Sequence, residues 1–373
     1  AGGYTAMLLS GVARNVLHVD VTSLYPSLML TRSIAPAADT LGVFLTLLGD
    51  LREFRVAAKR AAREADSPEG RTLAGALQQT FKILINSFYG YLAFSQGHWN
   101  DYDAANQVTG EGRDLVQALV ARLGDLGAAV IEVDTDGIYF VPPFSLSPTG
   151  GEGQGEGEAR LLTGLEGVLP SGIQLELDGR YDAMLSYKMK NYVLLDARGK
   201  LLIKGSGLRS RGIELFQRLW MEQMFRLLLS GRREEIPALV ARWREDFEAH
   251  RVPVKQFMKT ETLQESPAGY QEKLRGGKRN AAAAYELALR SSRPYQPGDQ
   301  VSYYVAGTAK RVKVNEAAKL ATEWNPTAPD ENTAYYLAKL EDLYEKFRPL
   351  IEQNGLSPAG DGAPEPTAQL PLE

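Results

Sequence analysis

The sequence contains no cysteine and only three histidines, which are scattered at positions 18, 98 and 250. Disulfide bonds and thiolate metal sites are therefore excluded, and a zinc site built from imidazoles is not expected. Any metal ion bound by this chain would have to be held by oxygen ligands, which suits magnesium or manganese.

Long apolar runs and internal repeats are also missing from the sequence. No stretch is apolar enough to span a bilayer and no signal peptide is recognisable, so we expect no membrane partner. With 373 residues, the chain is long enough for two or three domains.

The net charge of −4 is mildly acidic, but the positive charges are clustered. Residues 52–63 hold four arginines and one lysine against a single acid, Glu53. Residues 188–211 hold seven lysines and arginines against Asp196 alone. Each run by itself is equally typical of a solvated helix face, but a basic stripe on an acidic protein also suits a polyanion.

Hydrophobic patterning predicts the main elements of the first half of the chain. Residues 14–21 favour a strand that ends at Asp20, and residues 129–142 favour two strands around an acidic turn. Residues 39–65 and about 71–88 favour two helices joined by a short turn, which together make a helical hairpin.

The remaining segments are predicted with less detail. Further strands are predicted at 173–178, 191–196 and 200–204, and residues 212–292 are mostly helical in pattern. The Gly/Glu-rich segment 145–158 predicts a mobile loop, and the Pro/Gly/Ala-rich segment 353–373 predicts a disordered tail.

Three aspartates lie where predicted strands end. Asp20 lies in HVDVTSLYPSLML, and Asp134 and Asp136 lie in VIEVDTDGIYF. Two carboxylates so close in a strand are costly unless a cation neutralises them. If Asp20 met this pair, three carboxylates could hold two divalent ions that assist an in-line displacement at phosphorus. Taken alone, an Asp-rich turn is common, and Asp20 could simply cap a strand end.

The predicted helical hairpin presents polar groups at helical spacing. Lys82, Asn86 and Tyr89 in KILINSFYG share one helix face, and Arg55 and Lys59 share a face of the preceding helix. If the two helices pack antiparallel, Arg55, Lys59 and Lys82 could converge on one polyanion such as a triphosphate. The alternative for both helices is an ordinary solvated face.

Taken together and in this order, these segments resemble the polymerase module of family B DNA polymerases. DVTSLYPS resembles motif A of that family, KILINSFYG its motif B and VDTDG its motif C. KNY at 190–192 resembles its KxY motif, and GGY at 2–4 resembles the glycine pair before motif A. Later segments, YQPGDQVSYYV and DENTAYYLAKL, resemble its thumb.

The resemblance implies an α+β right-hand polymerase with an antiparallel-sheet palm, a two-helix fingers hairpin and a mostly helical thumb. The domain boundaries that it implies are 1–38 for the first part of the palm, 39–92 for the fingers, 93–213 for the rest of the palm, 214–352 for the thumb and 353–373 for the tail.

The resemblance also implies roles for individual residues. It implies that Asp20, Asp134 and Asp136 are catalytic and, with the Val21 carbonyl, hold two Mg²⁺ ions, for which Mn²⁺ could substitute. The nucleotide-binding residues that it implies are Ser23, Leu24, Tyr25, Arg55, Lys59, Lys82, Asn86 and Tyr89, with Tyr25 as a steric gate against a ribose 2′-hydroxyl. The DNA-binding residues that it implies are Thr135, Lys190, Tyr192, Lys204, Arg209 and Arg211.

The function that the resemblance implies is template-directed addition of dNTPs to a primer 3′ end by two-metal-ion phosphoryl transfer. The implied partners are primer–template DNA, dNTPs and unidentified accessory replication or repair proteins. In a prokaryote, the implied location is the cytoplasm, in association with the nucleoid. Two alternatives stand beside it: an inactive polymerase-like scaffold that binds primer–template, and an ordinary helical protein with an acidic turn that binds no DNA.

Two departures from the family pattern are visible. Motif C usually reads Tyr-Gly-Asp-Thr-Asp-Ser, whereas Glu132, Val133 and Gly137 stand at the flanking positions here. Both aspartates are present, so metal binding is expected, but the flanking residues that position the primer end differ. The family also carries an exonuclease before motif A, whereas Asp20 lies close to the first residue. We therefore expect no 3′–5′ proofreading from this chain, as a naturally minimal, split or trimmed enzyme.

Overall fold

The computed structural model describes residues 2–144, 152–209 and 212–359. The chain divides into two compact units, one formed by Ala1–Leu202 with Gly355–Glu373 and the other by Ile203–Asn354. Within the described residues, no helix has both the length and the apolar character needed to cross a membrane.

The first unit is built on an antiparallel sheet of eight strands. These are β1 (Thr5–Met7), β2 (Leu9–Val21), β3 (Ala129–Asp134), β4 (Gly137–Val141), β5 (Leu175–Lys188), β6 (Asn191–Leu195), β7 (Leu201–Lys204) and β11 (Leu356–Pro358). Their order is β1-β3-β4-β2-β5-β6-β7, and β11 pairs with β2. The long strand β2 is central, because it pairs with β4 through Leu17–Asp20 and with β5 along most of its length.

Five helices accompany this sheet: α1 (Leu24–Arg32), α2 (Val43–Glu64), α3 (Pro68–Leu92), α4 (Tyr102–Asp125) and α5 (Glu152–Glu166). The start of α3 is fixed by Ser67, whose hydroxyl accepts the Gly70 N–H, and by a proline at the first helical position. The start of α4 is capped by Asp101, which accepts the Ala104 N–H. The main core lies where α4 and α1 cover the sheet, and it includes Val19, Leu119 and Phe140.

The hairpin of α2 and α3 is anchored at one end. A separate apolar cluster joins α1, α3 and α4 to the first turns of α2 through Met29, Phe44, Leu48, Leu92 and Val108. Apart from Phe44 and Leu48, the only buried residue of α2 is Ala58. Most of the hairpin surface is therefore exposed, with both polar and apolar side chains on it, while the cluster at its base fixes its attachment.

The second unit combines helices with a small antiparallel sheet. Its helices are α6 (Leu215–Leu229), α7 (Ile236–Glu248), α8 (Val254–Phe257), α9 (Pro267–Arg275), α10 (Ala283–Arg290), α11 (Val314–Ala317) and α12 (Thr333–Glu352), with 3₁₀ turns at Arg233–Glu235 and Ala321–Glu323. Its strands are β8 (Lys259–Thr262), β9 (Gln300–Val305) and β10 (Ala318–Leu320), in the order β10-β9-β8. Packed aromatic rings, among them Phe216, Phe247 and Tyr336, form its centre.

The α+β fold class, the helical hairpin and the strands around the acidic turn are confirmed. Two predictions need correction. Residues 152–158, placed in a mobile loop, belong to α5, and the rest of that predicted loop lies outside the described residues. The predicted tail 353–373 includes strand β11, which pairs with β2 at Leu9–Gly11, while residues 360–373 lie outside the described part. A three-residue strand is stabilised by this long-range pairing, which no local pattern reveals. The domain boundaries stay predictions.

We expect Phe247→Ala to lower the free energy of unfolding of the second unit by about 3–5 kcal/mol, the usual cost of removing a buried phenyl ring. Phe247 is fully buried and its ring packs against Phe216 and Tyr336 at centroid distances of 5.0 and 5.7 Å. Urea unfolding followed by tryptophan fluorescence measures the change. Glu248→Ala, at the next and exposed position of α7, is the matched control and should change stability by less than about 0.5 kcal/mol. Equal effects of the two substitutions would contradict this assignment of the core.

Candidate active site

The turn between β3 and β4 has an unusual backbone. The Asp136 N–H donates to the Asp134 carbonyl at 2.8 Å, around Thr135 with a φ of 66°. This is the hydrogen bond of a γ-turn, and a β-branched residue rarely adopts a positive φ. The Thr135 N–H donates to the Tyr4 carbonyl at 3.0 Å, so the residue just before β1 helps to hold the turn. Backbone strain of this kind is concentrated at functional sites.

Asp20 lies directly beside this turn, although 116 residues separate it from Asp136. In the β2–β4 pairing, the Cα partner of Asp20 is Gly137, and the Val21 N–H donates to the Asp136 carbonyl at 2.9 Å. A Cβ atom at Gly137 would approach Asp20 Oδ1 to 3.4 Å and His18 Nε2 to 2.4 Å. The glycine therefore leaves room mainly for the His18 ring, while the Asp20 carboxylate lies at ordinary contact distance beside the acidic turn.

The carboxylates at this point repel one another. Burial, together with the charges of Asp136 and Asp178, raises the pKa of Asp20 to about 7. Burial is also the main reason why the pKa of Asp136 is raised, with Asp134 adding to the effect. The Lys82 ammonium lowers both pKa values, so it lies within electrostatic range of both groups. A divalent cation would relieve this repulsion more completely than one lysine does.

The donor set is one that magnesium or manganese prefers, because it consists of oxygen alone. In the part of the chain that the structure describes, no group of three or more Asp, Glu, His or Cys side chains is gathered closely enough to form a ready metal site. Asp134 instead pairs with Lys190, whose Nζ lies 3.3 Å from its Oδ1. Asp20 and Asp136 thus fit a divalent cation as a pair, and the ion pair of Asp134 with Lys190 is made through Oδ1, one of its two carboxylate oxygens. Val21, whose carbonyl we predicted as a ligand, follows Asp20 and is fully buried.

The N-terminus of α1 and the Arg55 side chain together form a site that attracts anions. Ser23 precedes the helix in a left-handed conformation, with a φ of 50°, and Arg55 Nη1 of α2 donates to its hydroxyl at 2.8 Å. The first N–H groups of any helix, here those of Leu24 and Tyr25, have no partner within the helix and attract anions. Among the described residues, Arg55 Nε is buried and has no hydrogen-bond partner. Ser23, Leu24 and Arg55, all predicted to bind the triphosphate, thus lie together.

The other polar residues predicted on the hairpin are less constrained. Lys59 forms an exposed ion pair with Glu176 at 3.5 Å, which contributes little to stability and is easily exchanged for another anion. Lys82 and Asn86 are exposed on α3. Arg55, Lys59 and Lys82 were expected to converge on one anion. Arg55 reaches the start of α1 and Lys59 pairs with Glu176, whereas Lys82 lies near the carboxylates of Asp20 and Asp136.

The Tyr25 ring is held in a narrow space. Its centroid lies 4.7 Å from that of Tyr89. A Cβ atom would lie 3.0 Å from Tyr25 Cε1 if placed on Gly112, and 2.4 Å from the Tyr25 hydroxyl if placed on Gly3. Burial raises the pKa of Tyr25 to about 12, so the side chain is neutral at physiological pH. The ring forms a fixed wall beside the carboxylates.

The turn between β5 and β6 carries the predicted KxY residues. Tyr192 is only 3% exposed, and its hydroxyl donates to that of Tyr139 at 3.2 Å. Little of the Tyr192 surface is thus exposed, and its contact with DNA stays a prediction. Lys190 is exposed apart from its ion pair with Asp134 and is available to a nucleic acid.

The remaining predicted DNA-binding residues lie further along the chain. Lys204, at the end of β7, and Arg209 are exposed, and Arg211 lies outside the described residues. Exposed basic side chains are found at DNA-binding surfaces and also on ordinary solvated surfaces, so exposure alone does not assign these residues a role.

Three parts of the site were not found from the sequence. Arg113 of α4 donates to the Gly2 carbonyl at 2.8 Å and lowers the pKa values of both Tyr25 and Tyr89, which places it near their hydroxyls. Asp178 Oδ2 lies 3.2 Å from His18 Nδ1, within hydrogen-bond distance. The alternating acids of LELD at 175–178 are the one local signal that could have indicated the acidic strand. Arg113 gives no local signal at all.

Glu132 is the third residue that was not assigned a role. It is fully buried, and its carboxylate accepts hydrogen bonds from the Lys190 N–H and the Ser186 hydroxyl. Burial raises the pKa of Glu132 to about 7, and these two hydrogen bonds oppose that rise.

Comparison with known proteins matches residues 33–134 and 161–347 to the model of DNA polymerase family B. The chain is 28% identical over 369 residues to a DNA polymerase of Thermococcus sp. (strain 9oN-7) and 27% identical over 369 residues to one of Desulfurococcus sp. (strain Tok). Each alignment covers 90% of this chain and 45% of the relative, so the chain spans about half the length of these curated relatives.

A solved structure shows the same fold. The family B DNA polymerase from the hyperthermophilic archaeon Pyrobaculum calidifontis superposes with a TM-score of 0.69 at 22% sequence identity. The superposition covers 92% of this chain and 46% of that structure.

We expect Asp20→Asn to stabilise the metal-free protein at pH 8 and to have little effect below pH 4. A carboxyl group with a raised pKa binds its proton more tightly in the folded state, so stability is lost as pH rises from 3.8, its ordinary pKa, to about 7. The substitution removes that loss, about 1 kcal/mol after allowance for solvent screening. Thermal unfolding in EDTA at the two pH values measures the difference. The exposed Asp66→Asn is the control, and an equal change in Tm at both pH values would contradict the expectation.

Proposed function

The chain belongs to DNA polymerase family B, and we propose that it catalyses template-directed extension of a DNA primer with deoxynucleoside triphosphates. The observation that carries this proposal is the meeting of Asp20 with the turn of Asp134 and Asp136, beside cationic groups of the α2–α3 hairpin. Acidic and basic groups placed in this way suit the two demands of nucleotidyl transfer, which are a site for a metal ion and a site for a polyphosphate.

The reaction that we propose is an in-line displacement. The primer 3′-hydroxyl oxygen forms a bond to the α-phosphorus of the dNTP, the bond from that phosphorus to the α,β-bridging oxygen breaks, and this oxygen leaves as part of pyrophosphate. The hydroxyl proton passes to solvent or a nearby base. Divalent cations, two in our proposal, would supply Lewis-acid stabilisation of the phosphate oxygens when held by Asp20, Asp136, Asp134 and the Val21 carbonyl.

The protein's own groups contribute positioning and charge. Arg55 and the first N–H groups of α1 bind the triphosphate, with Lys59, Lys82 and Asn86 of the hairpin completing its surroundings. Orientation of the triphosphate against the primer end accounts for much of the rate enhancement, because this reaction needs little covalent chemistry from the protein. Tyr89 packs against the nascent base pair in this proposal.

DNA contacts are proposed for the acidic turn itself and for basic residues later in the chain. Lys190 and Thr135 lie at or next to Asp134 and would hold the primer end, while Lys204, Arg209 and Arg211 would bind the duplex backbone. Such contacts to phosphate give affinity without sequence preference and weaken as salt is added. The lack of proofreading, the nucleoid-associated location and accessory protein partners stay predictions.

We expect Asp136→Ala to lower the rate of primer extension by about a thousandfold or more while sparing most of the affinity for DNA. Loss of metal-assisted charge stabilisation costs several kcal/mol in the transition state, whereas DNA affinity depends mainly on basic side chains. Extension of a labelled primer–template with dNTPs and Mg²⁺, with binding measured by fluorescence anisotropy, separates the two effects.

The outcomes of this experiment distinguish the alternatives. Salt-sensitive DNA binding by the unmutated chain without any extension would support an inactive scaffold, and neither binding nor extension would overturn both assignments. Normal extension by Asp136→Ala would show that the metal assignment is wrong. Asp66→Asn, which changes an exposed carboxylate of the hairpin turn, is the control and should extend primers normally.

We expect Tyr25→Ala to lower the discrimination against ribonucleotides by about 10- to 100-fold, with smaller loss of dNTP incorporation. The wall formed by the Tyr25 ring occupies space that a ribose 2′-hydroxyl would need in the proposed nucleotide site. The ratio of kcat/KM for dCTP and CTP opposite a template guanine measures the discrimination. Tyr25→Phe keeps the ring and is the matched control, and an unchanged ratio in Tyr25→Ala would remove the steric-gate assignment.

A further inference from the structure

Glu132 stands where motif C usually has tyrosine, and it is fully buried in the sheet of the first unit. A buried carboxylate needs hydrogen-bond donors to offset its loss of hydration. Both of its oxygens have one: Oε2 accepts from the Ser186 hydroxyl at 3.1 Å and Oε1 accepts from the Lys190 N–H at 2.5 Å. The carboxylate therefore ties β3 to the turn between β5 and β6.

The turn that Glu132 binds has an unfavourable backbone. Lys190 has a φ of 59°, in the left-handed region that residues other than glycine adopt at a cost. The bond from Lys190's own N–H to Glu132 offsets that cost at the strained residue itself. Residues 188 and 191 on either side of the turn pair with each other as β5 becomes β6, so the turn has little freedom to relax elsewhere.

The same lysine is held at its other end. Lys190 Nζ lies 3.3 Å from Asp134 Oδ1, and Asp134 is two residues beyond Glu132 on β3. The backbone of Lys190 is thus bound by one acid of this strand and its side chain by another. With both ends fixed, the ammonium is directed at the edge of the acidic turn.

We propose that Glu132 is a positioning residue, which holds the left-handed turn at Lys190 so that the lysine ammonium is placed for the primer 3′ end. The inference rests on the proposed function for the role of Lys190, but the contact between Glu132 and the turn does not. Glu132 itself touches neither DNA nor nucleotide in this proposal.

Two substitutions at this position separate the hydrogen bonds from the charge. Glu132→Gln keeps an oxygen to accept the Lys190 N–H and offers an N–H to the Ser186 hydroxyl. Glu132→Leu has a similar volume but leaves the Lys190 N–H and the Ser186 hydroxyl unpaired, which is the more costly outcome. Ser186→Ala is the matched control, because it removes the other hydrogen bond of Glu132 and leaves that of Lys190 in place.

The first test is amide hydrogen exchange in a peptide that covers residues 187–192. In the unmutated protein the Lys190 amide should be protected, with about tenfold faster exchange in Glu132→Leu and near-normal exchange in Glu132→Gln and Ser186→Ala. An unprotected Lys190 amide in the unmutated protein would overturn the inference, and this observation needs neither a folded variant nor polymerase activity. It therefore distinguishes failure of the inference from failure of the proposed function.

The second test is steady-state primer extension. Glu132→Leu should raise the KM for primer–template about tenfold and leave the KM for dNTP unchanged, whereas Glu132→Gln should resemble the unmutated chain. Because Glu132 acts only through Lys190, the double variant Glu132→Leu/Lys190→Ala should be no worse than Lys190→Ala alone. Additive losses in the double variant, or an equal rise in both KM values, would overturn the positioning role.

Discussion

The repulsion between Asp20 and Asp136 is the constraint on which the rest of the site depends. Antiparallel pairing of β2 with β4 forces it, because Asp20 is placed opposite Gly137 and so beside the acidic turn. Burial strengthens the repulsion, since less water remains to screen the charges. A sheet optimised for stability alone would not place acids here, and the arrangement is understandable only if positive charge is supplied from outside the sheet.

The α2–α3 hairpin and the β5–β6 turn bring positive charge from two sides. Lys82 of the hairpin lowers the pKa values of both repelling acids, and Lys190 pairs with the third acid, Asp134. Arg55 stands slightly apart, at the start of α1, where it faces the hydroxyl of Ser23. The positive charge near the acidic turn thus comes from elements that are distant from it in sequence.

Features set by local pattern were predictable, and features set by distant pairing were not. The hairpin helices were predictable because their composition and the short turn between them are local features, as is the Ser67 cap that the structure shows at the start of α3. The meeting of Asp20 with Asp136 was expected only from the family resemblance, since nothing near either residue specifies the pairing. Glu132 and Lys190 are 58 residues apart, so no local pattern indicated their contact. Glu132 also stands where motif C usually has tyrosine, so the family resemblance did not indicate it either. Strand β11 was missed for the same reason, because it pairs with β2 and Leu356 packs on a cluster formed by residues distant in sequence.

Because α2 is attached mainly near its start, a small tilt there would displace residues further along the helix. Its apolar anchors, Phe44 and Leu48, lie in its first two turns, and Arg55 is about 10 Å further along the axis at the helical rise of 1.5 Å per residue. A tilt of roughly 10° at the anchors would move Arg55 by about 2 Å, enough to break its hydrogen bond to Ser23. Phe44 packs against Phe88 and Trp99 near the start of α2. This packing therefore determines how firmly the Arg55 guanidinium is held beside the start of α1.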